Sequence, residues 1–180
     1  MQSVNFIYNH DMPRFRSFAT EKAYQQAMLL LFGLPGVPVI WQGTEQGCLE
    51  VREKMFDLFE TSSKDFKFVQ HLIAFRKKQP ATRRGKIEIL ADSKNCPGLL
   101  LFKLNHAEKD LYFALNTLDD PILTNDIPLA IKEEGAFSVV KEMDLVGDWQ
   151  ANVTNGQLDF LHLPAKEGLI FSLTPAQKTA

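Results

Sequence analysis

Two short apolar runs, Val4-Asn-Phe-Ile-Tyr8 and Val37-Pro-Val-Ile-Trp41, flank one amphipathic stretch, and this order constrains the fold more than any other feature of the chain. A strand, a helix and a second strand form a parallel pair joined by a right-handed crossover. Such a pair needs cover on its faces and neighbours on its outer edges. Thr20 can cap a helix over about Glu21 to Phe32, with Ala23, Ala27, Leu30 and Leu31 as its apolar stripe and Gly33 where a C-terminal cap is expected. Each run ends in polar residues, Asn9-His10-Asp11 after the first and Gln42-Gly-Thr-Glu45 after the second. Strand ends that open into polar loops are where parallel barrels carry their chemistry.

Ser62-Ser63-Lys64-Asp65 has capping-box spacing and precedes Phe66, Val69, Leu72 and Ile73 at helical intervals. That helix runs into Arg76-Lys77-Lys78, which suits the negative end of its dipole, and stops before Pro80. Arg83, Arg84 and Lys86 extend the basic run, but without interleaved aromatics they read as a solvated helix end and linker. From Lys86 the pattern becomes β-rich, at 86–90, 99–105, 111–116, 137–143, 157–163 and 168–173, with turn signals such as Pro97-Gly98 and Asn155-Gly156 between. Leu100, Phe102 and Leu104 alternate, as do Leu111, Phe113 and Leu115, so each strand is expected to turn one face to a core and one to water. The boundary between a domain over 1–80 and one over 81–180 is placed near Pro80.

A net charge of −2 gives no reason to expect nucleic acid or an anionic membrane as partner. No apolar stretch reaches the ~20 residues that span a bilayer, and no signal-peptide pattern is present. Cys48 and Cys96 are too few for a disulfide framework, and with His10, His71, His106 and His162 they lack metal-ligand spacing, so neither metal nor cofactor is expected. Asn152-Val-Thr154 fits a glycosylation acceptor, a pattern too short to carry weight.

The segment from Val4 to Phe15, with Leu34-Pro-Gly-Val-Pro-Val-Ile-Trp-Gln-Gly-Thr-Glu-Gln-Gly47, resembles the last two strand-and-loop units of the alpha-amylase family of glycoside hydrolases. In that family the seventh barrel strand ends in an Asn-His-Asp-like motif and the eighth reads like Pro-Gly-x-Pro-x-Ile-x-x-Gly-x-Glu. Val51-Arg-Glu-Lys-Met-Phe56 is similar to the stretch after the eighth strand, 68–80 to the last barrel helix, and Leu111-Tyr-Phe-Ala-Leu-Asn116 to a strand of the C-terminal sandwich. Alone, Asn-His-Asp before Met-Pro reads as a loop bonding its own backbone; four matches in family order outweigh that. The resemblance implies a partial (β/α)8 barrel segment, its last two strand-helix units, followed by an antiparallel Greek-key β-sandwich.

It also implies roles. Retaining glycosidases work with two carboxyl groups about 5 Å apart around an oxocarbenium-like transition state. The resemblance gives Asp11 the part of a third carboxylate that stabilises that state and His10 that of a hydrogen-bond donor to the innermost sugar. Asn9 stands with them. Arg14 either lines the site or pairs with a surface acid, and Glu45 either touches substrate-binding loops or holds its own loop in shape. Trp41 and Gln42 depart from the family, which often has Tyr there; Gly36 and Gly43 read as turn glycines.

The larger departure is that the nucleophilic Asp and acid-base Glu of the family belong to earlier strands, and no segment before Val4 supplies them. Losing a general acid alone costs ~100-fold to 10,000-fold in rate. These 180 residues are therefore expected to be inactive alone, as the C-terminal part of an enzyme acting on alpha-glucosidic bonds of maltooligosaccharides or starch-like glucans. Expected partners are that glucan and either a missing N-terminal barrel portion or further copies of the chain. The competing expectation is a non-catalytic glucan-binding or assembly module, with Tyr112, Trp149 and Phe160 as sugar-stacking candidates on the sandwich.

Overall fold

The computed structural model describes residues 3–51, 57, 59–129 and 136–176. The chain divides into two compact units, Met1–Arg84 and Gly85–Ala180.

In the first unit, strand β1 (Val4–Asn5) lies parallel to β2 (Val37–Pro38), with Val4 opposite Val37. Helix α1 (Glu21–Gly33) makes the crossover. The ladder is shorter than the five-residue apolar runs, and the two strands form a sheet of their own; Pro38 turns its nitrogen, which has no N–H, away from β1. Val37 and Val39 donate to the carbonyls of Ser3 and Asn5 at 2.8 Å each. Gly36 makes this approach possible: its φ is +122°, and a Cβ there would collide with the hydroxyl and carbonyl of Ser3.

Thr20 caps α1, its hydroxyl accepting from the Ala23 N–H at 3.2 Å. Gly33 is not the left-handed cap that its position suggests. It stays helical, and Leu34 leaves in extended conformation (φ −71°, ψ 144°) because Pro35 disfavours helical geometry in the residue before it. Helix α2 (Lys64–Lys78) starts one residue later than a Ser62 cap would place it: Ser63 is the cap and accepts from Phe66 N–H at 3.2 Å. Phe66 has no carboxylate to close the box. A short helix, α3 (Ala81–Arg84), follows Pro80 within the same unit. Arg76, 8% exposed, binds these parts together by donating to the carbonyls of Phe32, Leu34, Gly36 and Thr82.

The second unit is antiparallel β throughout: β3 (Lys86–Ala91), β4 (Leu99–Asn105), β5 (Leu111–Asn116), β6 (Ile122–Pro128), β7 (Ala136–Asp144), β8 (Gln150–Thr154), β9 (Gln157–Leu163) and β10 (Gly168–Pro175). They form one hydrogen-bonded sheet in the order β3-β4-β5-β10-β7-β8-β9-β6, curled so that its end strands β3 and β6 approach each other. Leu99 and Leu101 of β4, Tyr112 and Ala114 of β5, and Leu169 and Phe171 of β10 meet Ile122, Ile127, Val153, Leu158, Phe160 and Leu163 from the other half in its core.

This corrects the expected alternation. The inward set is Leu99, Leu101, Tyr112 and Ala114, yet Phe102, Leu104, Leu111 and Phe113 on the opposite face are at most 2% exposed as well, so β5 is buried on both faces and β4 is partly open only at Leu100 and Asn105. Phe102 stacks on Phe113 at 4.8 Å. Between β7 and β8 the fully buried Glu167 carboxylate accepts from the N–H groups of Leu145, Val146, Gly147 and Gly168 at 2.8–3.1 Å and fixes that loop.

Candidate active site

The site is built at the ends of β1 and β2, which point the same way because the strands are parallel. After β1 the backbone turns at once. Asn9 Oδ1 accepts from the Asp11 N–H at 2.9 Å and its carbonyl from Met12 N–H at 3.3 Å, so Asn9 shapes the turn that presents the next two residues. His10 and Asp11 are exposed there, 61% and 76% by side chain, with His10 Nε2 3.3 Å from Asp11 Oδ2. The imidazole also lies 5.1 Å from the indole of Trp41, tilted by 33°. Residues from both strand ends thus stand together: a carboxylate, an imidazole and an indole.

Arg14 is buried between the two loops. It is 1% exposed, its Nε donating to the Glu50 carbonyl and its Nη2 to the Gln42 carbonyl at 3.0 Å, with the guanidinium 5.9 Å over the ring of Tyr8. Among the described residues Nη1 has no hydrogen-bond partner. Arg14 therefore ties the loop after β1 to the one after β2 from inside. Glu45 folds back on its own loop, where Oε2 accepts from the Gly43 N–H at 3.1 Å. Gly43, at φ 86°, opens the 3-10 turn Thr44–Gln46 that carries it.

Two features escaped the sequence reading. One is the His10–Trp41 contact. The other is a buried hydroxyl chain: Thr44 donates to the Trp41 carbonyl at 2.6 Å, so Tyr8, 2.6 Å from the same hydroxyl, must be the donor to it, and Tyr24 donates to the Thr44 carbonyl at 3.0 Å. Burial pushes the Tyr24 phenol well above its ordinary range, with the nearby Tyr8 adding to the shift, which keeps it a donor. A tyrosine closing an apolar run and a threonine inside a glycine-flanked turn were the available signals.

Arg52 to Phe56 lie outside the described residues. Of the three aromatics considered on the sheet, Tyr112 and Phe160 are 2% and 1% exposed and pack on Phe171, so neither is open to a sugar. Trp149 is half-buried against the core and donates to Asp144 Oδ2 at 3.2 Å. Among the described residues no three of His, Cys, Asp and Glu converge to hold a metal ion.

Residues 1–84 match the family model described as alpha amylase, catalytic domain. Over 88 residues the chain is 39% identical to an alpha-amylase of Niallia circulans, and over 86 residues 34% identical to a cyclomaltodextrin glucanotransferase of Thermoanaerobacterium thermosulfurigenes. Each alignment takes 46% of this chain, and the chain spans only 16% and 12% of those two proteins. The fold is similar to the crystal structure of an Anoxybacillus alpha-amylase, with a TM-score of 0.76, 23% identity, and coverage of 98% of this chain and 39% of that one. It is also similar to a debranching enzyme of Nostoc punctiforme, with a TM-score of 0.74, 23% identity, and coverage of 94% and 33%.

Proposed function

We propose, from the premise that the chain belongs to the alpha-amylase family as a segment of it, that it supplies the C-terminal part of an enzyme acting on alpha-glucosidic bonds of maltooligosaccharides or starch-like glucans. In this reading the first unit is the last two strand-helix units of a (β/α)8 barrel and the second a Greek-key sandwich. The observation that carries it is the exposed His10–Asp11 pair at the end of β1, held by the Asn9 turn and underpinned by Arg14.

Asp11 places a negative charge where positive charge develops on the sugar ring, and His10 donates to a sugar hydroxyl. Such a charge acts strongly only when its position is fixed beforehand and water is excluded around it. Nucleophile and general acid come from elsewhere in the barrel, so these 180 residues by themselves bind without turnover. The test is hydrolysis of a chromogenic maltooligosaccharide by the chain, and by a chimera in which residues 1–84 replace the matching part of the Niallia circulans alpha-amylase. We expect no turnover from the chain, turnover from the chimera, and a loss of ~100-fold to 1,000-fold on Asp11→Asn. A chimera indifferent to Asp11→Asn would remove Asp11 from the reaction.

A further inference from the structure

We propose that Trp41 is a sugar-stacking, specificity-determining residue: the part of its indole left open beside the His10 imidazole takes the apolar face of a glucosyl unit next to Asp11. The inference rests on the function proposed above and adds a residue and a mode of recognition to it.

Geometry carries the argument. The 5.1 Å, 33° arrangement lies in the range of offset aromatic pairs, yet Trp41 keeps 37% of its surface exposed after that contact. Val37 and Val39 alternate with it along the run and are exposed too, at 44% and 41%, but Trp41 is the member in contact with a ring from the polar cluster. An indole beside an imidazole and a carboxylate suits a ligand with an apolar C–H face and a rim of hydroxyls, which is a pyranose.

The root of the indole is fixed from the core. The Trp41 carbonyl accepts both from the Thr44 N–H at 3.0 Å and from the Thr44 hydroxyl at 2.6 Å, and that hydroxyl is held by Tyr8. Arg14 holds the next carbonyl, that of Gln42, at 3.0 Å. A ring anchored on both peptide units that follow its Cα gives up little freedom on binding, which is the condition for an aromatic to add affinity.

The chain has two tryptophans, so Trp149→Phe leaves Trp41 as the only indole. The experiment titrates maltoheptaose into that variant, reading indole emission, and measures Kd by calorimetry for the unaltered chain, Trp41→Ala and Trp41→Tyr. We expect a saturable emission change, ~10-fold weaker binding by Trp41→Ala, and binding by Trp41→Tyr within ~3-fold of the unaltered chain. Binding with unchanged emission, and with Kd unchanged in Trp41→Ala, would overturn the inference and leave the proposed function standing. Absence of saturable binding by the unaltered chain would also overturn the inference, while turnover by the chimera decides the proposed function separately. If Trp41→Ala loses its circular dichroism signature, Trp41→Tyr and the emission titration decide.

Discussion

Arg14 is the residue on which the loop ends depend. Its fork reaches two carbonyls, those of Gln42 and Glu50, from two nitrogens held in fixed directions, a geometry that an ammonium on a flexible stem does not reproduce. Arg14→Lys should lower unfolding free energy by about 2 kcal/mol, the scale of one lost charge-assisted bond in a buried place; an unchanged denaturation midpoint would show that the tie carries no energy. Of the sequence readings of Arg14, lining the site or pairing with an acid, neither describes two backbone carbonyls, since nothing in Met-Pro-Arg-Phe tells how a guanidinium will be satisfied. The resemblance gave His10 and Asp11 their roles; from the residues alone only the turn was legible, as a loop bonding its own backbone, which is what Asn9 does. The Trp41 contact was not, because it depends on the relative register of two strands joined by a long crossover.

At the scale of elements, the starts of α1 and α2 were readable to within a residue, whereas α3 lies where a linker was expected. Thr20→Ala should cost about 1 kcal/mol, as the loss of one cap does, and should reduce helicity near 222 nm at intermediate denaturant; equal stability would mean that packing alone sets the start of α1. Strands β4, β5 and β9 follow their apolar runs residue for residue, whereas β6 and β8 went unseen. The sequence of β6 is Ile-Leu-Thr-Asn-Asp-Ile-Pro, whose interior polar residues read as a turn, and β8 is five residues of mixed character held by its neighbours. On the edge strand β3, Glu88 accepts from the Asn105 amide at 2.9 Å and lies 3.4 Å from the Lys103 ammonium. The Asn105 bond first, with Lys103 assisting, holds this carboxyl below the usual range. A lowered folded value stabilises above about pH 4.5, the unfolded value, and the gain disappears as pH falls through the folded one. Glu88→Gln should therefore lose less stability on acidification below about pH 4.5 than the unaltered chain, by a small margin because the side chain is 40% exposed. Parallel acid limbs in thermal melts would refute the assignment.

At the scale of the molecule the two units differ in how well each covers itself. In the first, β1 and β2 form a two-stranded sheet with Val4, Phe6, Val37 and Val39 at 41–62% exposure. A two-stranded sheet is marginal in water, and open edges invite association. In the second, the curled sheet encloses a continuous core. Residues 85–180 expressed alone should unfold in one cooperative transition with dispersed amide resonances, and residues 1–84 alone should be molten or oligomeric. A monomeric 1–84 with slow amide exchange from Val37 to Trp41 would contradict this. The order of the sheet has a further consequence in time. Strand β10, the last of the eight to be synthesised, sits between β5 and β7, so these two wait for it with one side unpaired. The halves β3-β4-β5 and β7-β8-β9-β6 therefore cannot join into one sheet until β10 has been made, and until then their two open edges are what a chaperone has most to protect.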